Sequence, residues 1–329
     1  MKIQATLAII SLSLLIFSCS EPKSDNNSFE IYFLADSDIS EHEASEVDIG
    51  SLALKDEAWV SSSDIDFYDY SSHCIYLKED KSHFFENYDE GFYQFTPVLS
   101  QKPFVVVSGG TRVYVGALHS GLLSLAPAGP YMDEMDVGSY PADVMHISKA
   151  WRGDEDIRSD PDIKDALLTQ DLFHAGLKIQ LISFQVLDNS DTSTVEYRIR
   201  ISNNDQDDLY ILDPTKMGSA LFHYYTNGPD LWDTSIPGHP IYLYSQYKLV
   251  EPPEPYDSWE VDWFSLIESG NRIEHTIQLK GYPFIPDGSY TADMKYAGPH
   301  NIGLDNRYIG DGRLWIGSIG SNTLDVTIQ

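Results

Sequence analysis

The chain has 329 residues, 51 acidic against 21 basic side chains, and a formal net charge of −30. That balance argues against a nucleic-acid ligand, whose binding rests on basic side chains displacing counterions, and against anionic lipid headgroups as a partner for the folded body. A hydrophobic share of 42% with 12% aromatic residues sets the chain apart from disordered sequences, and two cysteines leave no disulfide scaffold.

Met1 and Lys2 precede an apolar run, IQATLAIISLSLLIFS, which is followed at once by polar SEPKSDNN. So short a run reads as a signal peptide over residues 1–18 rather than a spanning helix. Ile16-Phe17-Ser18-Cys19 resembles a bacterial lipobox, with Phe17 where that pattern has a smaller residue. The resemblance implies that Cys19 becomes the lipid-modified first residue, with palmitate-type acyl chains as the membrane anchor. A conventional signal peptide and an uncleaved anchor are the alternatives. Residues 19–29 then form a flexible tether, and Cys74 is left as a lone thiol, read as a small apolar strand residue.

FEIYFLA (29–35) predicts the opening strand and SLALK (51–55) a second. SSDIDFYDYSSHCIYLK predicts a capped turn running into a strand at 73–78, and DKSHFFENY one or two turns of helix. PFVVVSGGTRVYVGAL predicts a hairpin over 103–118, because Gly109-Gly110 supplies the positive φ of a tight turn. Residues 119–145, rich in Gly, Pro, Met and Ser, predict a long loop. Asp160 as cap, Pro161 at the first helical position and the stripe Ile163, Ala166, Leu167, Phe173 predict a helix that Gly176 ends. Strands are expected near 177–187, 194–202, 208–212, 220–226, 240–249, 273–279, 288–296 and 323–328. The expected fold is mostly β: an α+β domain over 30–160, a connecting helix at 161–176 and an antiparallel immunoglobulin-like β-sandwich over 177–329.

RGDEDIRSDPD (152–162) is the densest charged stretch. A calcium loop started at Asp154 would use Asp156 and Asp160, but Arg158 and Ser159 fall where a ligand and the obligatory Gly belong. The stretch therefore reads as a polar turn feeding a capped helix, with Asp154, Asp156 and Asp160 the weaker metal alternative. Ten histidines include no His-x-x-x-His pair, so no metal or other cofactor is expected. Gly-x-Ser-x-Gly and phosphate-loop spacings are absent. In VEPPEPYDSWEVDW (250–263), Glu251, Glu254 and Asp257 lie beside Tyr256, Trp259 and Trp263, where aromatic faces suit sugar rings. FHYYTNGPDLWD (222–233) offers Tyr224, Tyr225, Asn227 and Trp232 as a binding platform, although strand alternation turns half of such a segment into core.

SLIESGNRIEHTIQLKGYPFIPDGSYTADMKYAG (265–298) resembles the closing half of bacterial immunoglobulin-like domains of the intracellular proteinase inhibitor type, and STVEYRIRISNNDQDDLYI resembles their opening. The resemblance implies the sandwich fold and a protease-inhibitor activity. The N-terminal half resembles domains of bacterial lipoproteins that imply no activity. The function expected is a non-catalytic, lipid-anchored cell-envelope protein on the periplasmic or surface side, acting in binding or assembly. Its partners would be the bilayer, through the acyl anchor, and a protein or glycan ligand. Its contact surface would be loop 119–145 with the segments 222–233 and 251–263. The alternatives are a carbohydrate-active hydrolase with a carboxylate pair that spacing does not reveal, and the protease inhibitor.

Overall fold

The computed structural model describes residues 27–85, 102–120, 126–150, 156–218, 221–222, 229–235, 240–241, 261–299 and 307–329. The fold is mostly β, and every strand pairing among these residues stays within 29–174 or within 177–328. No helix of the described residues is long and apolar enough to cross a membrane.

The first half has two sheets. Five strands run in the order Val60–Ser61, Phe29–Phe33, Pro103–Ser108, Thr111–His119 and Tyr131–Asp133. Gly109 and Gly110 make the predicted turn with φ of 57° and 81°, values at which a Cβ is strained. The second sheet orders Val144–His146, Cys74–Leu77, Ile65–Asp69 and Phe173–His174. A core lies between the sheets, where Ile31, Phe104 and Val106 of the first meet Tyr68, Ile75 and Leu77 of the second. The helix Pro161–Thr169 adds Ile163 and Leu167 to that core, and Asp160 caps it by accepting from the Asp162 amide at 2.8 Å.

Several elements differ from the sequence reading. The predicted helix stops at Thr169, and Phe173–His174 instead pairs in parallel with the Ile65–Asp69 strand. Gly176 therefore ends no helix. It sits at φ 65° against the next layer, where a Cβ would fall 2.1 Å from Ser71 Oγ. Residues 65–69, expected in a turn, form a strand, whereas 51–55 contributes only an isolated bridge, Leu54 to Leu34. The segment 119–145 is not one loop. It carries the strand Tyr131–Asp133, the helix Glu134–Ser139 and the start of Val144–His146. Each is too short to leave a periodic pattern, and pairing with the earlier strands holds the two strand pieces.

The second half is built on three long strands, Leu177–Asn189, Thr192–Asn203 and Arg272–Pro283. Around them lie two four-stranded sheets and the pair Lys295–Ala297 with Ser318–Gly320. All share one core centred on Tyr197, Ile199, Leu231, Tyr296 and Trp315. Of the predicted strand at 220–226 only Leu221 and Phe222 are described, and they are helical, Phe222 being buried. Of 240–249 only Pro240–Ile241 is described, as a strand.

The strand Cys74–Leu77 is buried along its whole length because each of its faces meets a different core. Cys74 and Tyr76 point to the second half, Ile75 and Leu77 to the first. At the same joint Arg313 is wholly buried. Its guanidinium donates to Asp69 Oδ2 from both terminal nitrogens at 3.0 Å and to Asp205 Oδ2 at 2.8 Å, and it lies 5.0 Å from the Phe67 ring centre. Asp69 Oδ1 accepts from Ser71 Oγ at 2.6 Å and from the Ser71 and Ser72 amides. Ser71 Oγ accepts in turn from the Leu177 amide at 3.0 Å and from Trp315 Nε1 at 3.1 Å. Removing one partner of such a set strands the others in a dry interior. Arg313→Ala is expected to cost about 3–5 kcal/mol, read as a lower urea midpoint.

Candidate functional site

Beside this joint the two halves enclose a cleft of about 950 Å³. The first half contributes Tyr70, Ser71 and His73 from the turn between two strands, Tyr131, His146, and the turn carrying Asp156 and Arg158. The second half contributes residues 177–180 at an edge strand, Asp230, 293–295 and 318–322.

The cleft's histidines are both held through Nδ1. His146 donates from Nδ1 to Asp136 Oδ2 at 2.7 Å and stacks on Tyr140 at 5.0 Å. His73 is buried at φ 54°, a left-handed conformation uncommon for a side chain with a Cβ. Its Nδ1 meets the Tyr68 hydroxyl at 3.0 Å and its Nε2 the Ser159 hydroxyl at 3.4 Å. Burial, reinforced by the Arg158 charge, holds its pKa well below the ordinary value, so the ring is neutral. Arg158 is already committed: Nε and Nη2 donate to Asp156 at 2.8 and 2.6 Å, and Nη1 to the Ile147 carbonyl. Burial of Asp156 favours its neutral form, yet the bonds and charge of Arg158 outweigh this and pull the carboxyl down to about 2.

Asp230 and Asp293 stand directly opposite each other on neighbouring antiparallel strands. Like charges in that register oppose pairing, so the sheet carries a local cost at the cleft wall. Burial, joined by the Asp293 charge, pushes the Asp230 carboxyl up to about 6. Burial also raises Asp293, against the hydrogen bond it accepts from Trp232 Nε1 at 3.3 Å.

Trp232 and Trp263, the described members of the binding set expected from the sequence, do not line this cleft. Trp263 is 7% exposed and packs in the second core, so it is no binding surface, and its ring is the apolar filling of that layer. Trp232 is half-buried and serves Asp293 rather than a platform. Tyr224, Tyr225, Asn227, Tyr256, Trp259, Glu251, Glu254, Asp257, Cys19 and Asp154 lie outside the described residues. Of the weaker metal alternative, Asp156 is spent on Arg158 and Asp160 on the helix cap. Of the expected contact loop 119–145, Tyr131 reaches the cleft.

One group among the described residues, His174, Asp205 and Asp207, brings its donor atoms within 4.8 Å of one another. Arg313 already lies 2.8 Å from Asp205 and 3.7 Å from Asp207, so a divalent ion there would face a fixed positive charge. These residues do not suit a metal. His174 Nδ1 instead donates to Asp205 at 2.8 Å. Burial opposes ionisation of Asp205, and the His174 bond and Arg313 charge override it, holding its carboxyl well below the usual range.

Compared with known proteins, the sequence matches no protein-family model and no curated protein.

Because folding raises the Asp230 pKa, the native state is penalised above about pH 6, and the penalty vanishes below the unfolded value near pH 4. Asp230→Asn is therefore expected to raise Tm by about 2 °C at about pH 8, equivalent to about 1 kcal/mol after solvent screening. Near pH 4 the same variant should melt with the wild type in a thermal scan.

Proposed function

We propose that this chain is a lipid-anchored protein of the bacterial cell envelope that acts by binding a ligand in the cleft between its two halves. The observation that carries the reading is a preformed concavity whose walls are fixed to each other. Beside it, Arg313 through Asp69 and Ser71 through Leu177 and Trp315 tie the two halves together, so little ordering cost is left for the moment of binding. The anchor is read from Cys19, and the second half as an immunoglobulin-like sandwich of the type the sequence resembles. The long antiparallel strands Leu177–Asn189, Thr192–Asn203 and Arg272–Pro283, packed with the other sheets about one core, support that class. An inhibitory loop is not needed for this reading, since the site lies in a concavity.

A second reading draws on one observation, the opposed carboxylates of Asp230 and Asp293 at the cleft wall. A carbohydrate-active hydrolase uses such a pair as acid and base. Turnover of a glycan panel that is lost in Asp293→Asn would favour hydrolysis over simple binding.

Gly320 lines the cleft, and a Cβ built on it meets nothing within 4 Å. A larger side chain therefore has room to start there, and Gly320→Trp should obstruct part of the cleft. Ligand capture from an envelope extract, followed by mass spectrometry, is expected for the wild type and lost in this variant at unchanged Tm. For the anchor, labelling with radioactive palmitate is expected in the wild type and absent from Cys19→Ala.

A further inference from the structure

The lining of the cleft inverts the charge balance of the chain. Lys149, Arg158, Lys178 and Lys295 face Asp156, Asp230 and Asp293, four bases to three acids, in a protein with 21 bases to 51 acids. Arg158 and Asp156 cancel each other as a closed pair. Lys178 and Lys295 are exposed, and neither has an ion-pair partner among the described residues. In so acidic a protein, two lysines left open in one concavity form a place for an anion from outside. They stand on neighbouring parts of the same wall, Lys178 on the edge strand Leu177–Asn189 and Lys295 on the short pair with Ser318–Gly320 that packs beside it.

The rest of the lining says what carries that anion. The aliphatic residues are Ala150, Leu177, Ile179, Met294 and Ile319, and three of them, Leu177, Ile179 and Met294, are buried. The accessible lining therefore mixes hydroxyl, amide, imidazole, ammonium and carboxyl groups with the half-buried Ala150 and Ile319 and two tyrosine rings. Opposed carboxylates such as Asp230 and Asp293 suit vicinal hydroxyls, which donate to their oxygens. Tyr70 and Tyr131 supply aromatic faces in the same space.

We infer that the cleft takes a carboxylated carbohydrate, a short uronic-acid oligosaccharide whose acid groups meet Lys178 and Lys295 and whose hydroxyls meet Asp230 and Asp293. The inference rests on the reading of the cleft as a ligand site and names the chemistry of its occupant. Lys178 and Lys295 lie on the solvent side of their strands, so reversing their charge leaves the cores untouched.

Isothermal titration of the full chain tests this with trisaccharides of galacturonate, glucuronate and mannuronate, their carboxyl-reduced neutral forms, and triglutamate as an acidic peptide. The uronates are expected to bind, and the reduced sugars and the peptide to bind at least about tenfold more weakly. The Lys178→Glu, Lys295→Glu double variant should lose about tenfold for the uronates and nothing for the neutral forms. Equal affinity for acidic and reduced sugars, equal affinity for triglutamate, or no binding of any uronate overturns the inference. If the uronates fail while another ligand binds and is blocked by Gly320→Trp, the cleft reading survives and the sugar assignment falls. If Gly320→Trp blocks no ligand that the wild type binds, the cleft reading itself falls.

Discussion

Arg313 is the point on which the arrangement of this molecule depends. A guanidinium without solvent is tolerable only where carboxylates and further hydrogen bonds surround it, and here the arginine and its carboxylates come from three distant stretches of chain. Asp69 ends a strand of the first half, Asp205 sits in a turn of the second, and Arg313 itself arrives near the C-terminus. The chain is thereby required to bring its two halves together in one register, because any other juxtaposition would leave buried charge unmatched. Apolar burial alone tolerates sliding, whereas a desolvated ion set does not.

The same joint explains the unusual burial of the strand Cys74–Leu77. A strand of an antiparallel sheet ordinarily shows water one of its faces, and here both faces are dry. Phe67, Cys74 and Tyr76 belong to the second core although they lie in the first half of the sequence. The boundary between the halves thus runs through the thickness of a sheet, not through a linker. The cleft is the part of this boundary where side chains do not meet.

Local determinants were readable from the sequence, and distant ones were not. The Gly109-Gly110 hairpin and the Asp160-Pro161 helix start each need a few adjacent residues, and both form as the residues dictate. The end of that helix was misplaced because Phe173 fits an apolar stripe as well as a strand, and pairing with Tyr68 decided between them. The candidate site was illegible for the same reason on a larger scale. His73 and His146 were visible as two histidines among ten, and Asp230 and Asp293 as two acids among 51. What makes them a site is a shared concavity and a cross-strand register between positions 63 residues apart, which no motif spacing encodes. Aromatic density, the signal that drew attention to Trp263, marks a core as readily as a surface.

Cys74 gives the joint a built-in reporter. Its thiol is wholly buried, and burial pushes its pKa far above the ordinary range, so in the closed molecule it is neither accessible nor ionised. Its side chain faces the second half, and Gly317 covers it so closely that a Cβ there would stand 3.4 Å from the sulfur. An alkylating reagent can reach it only when the halves part. The rate at which this one thiol is modified under native conditions therefore measures how often the joint opens, and a ligand bridging the two walls of the cleft would slow that clock.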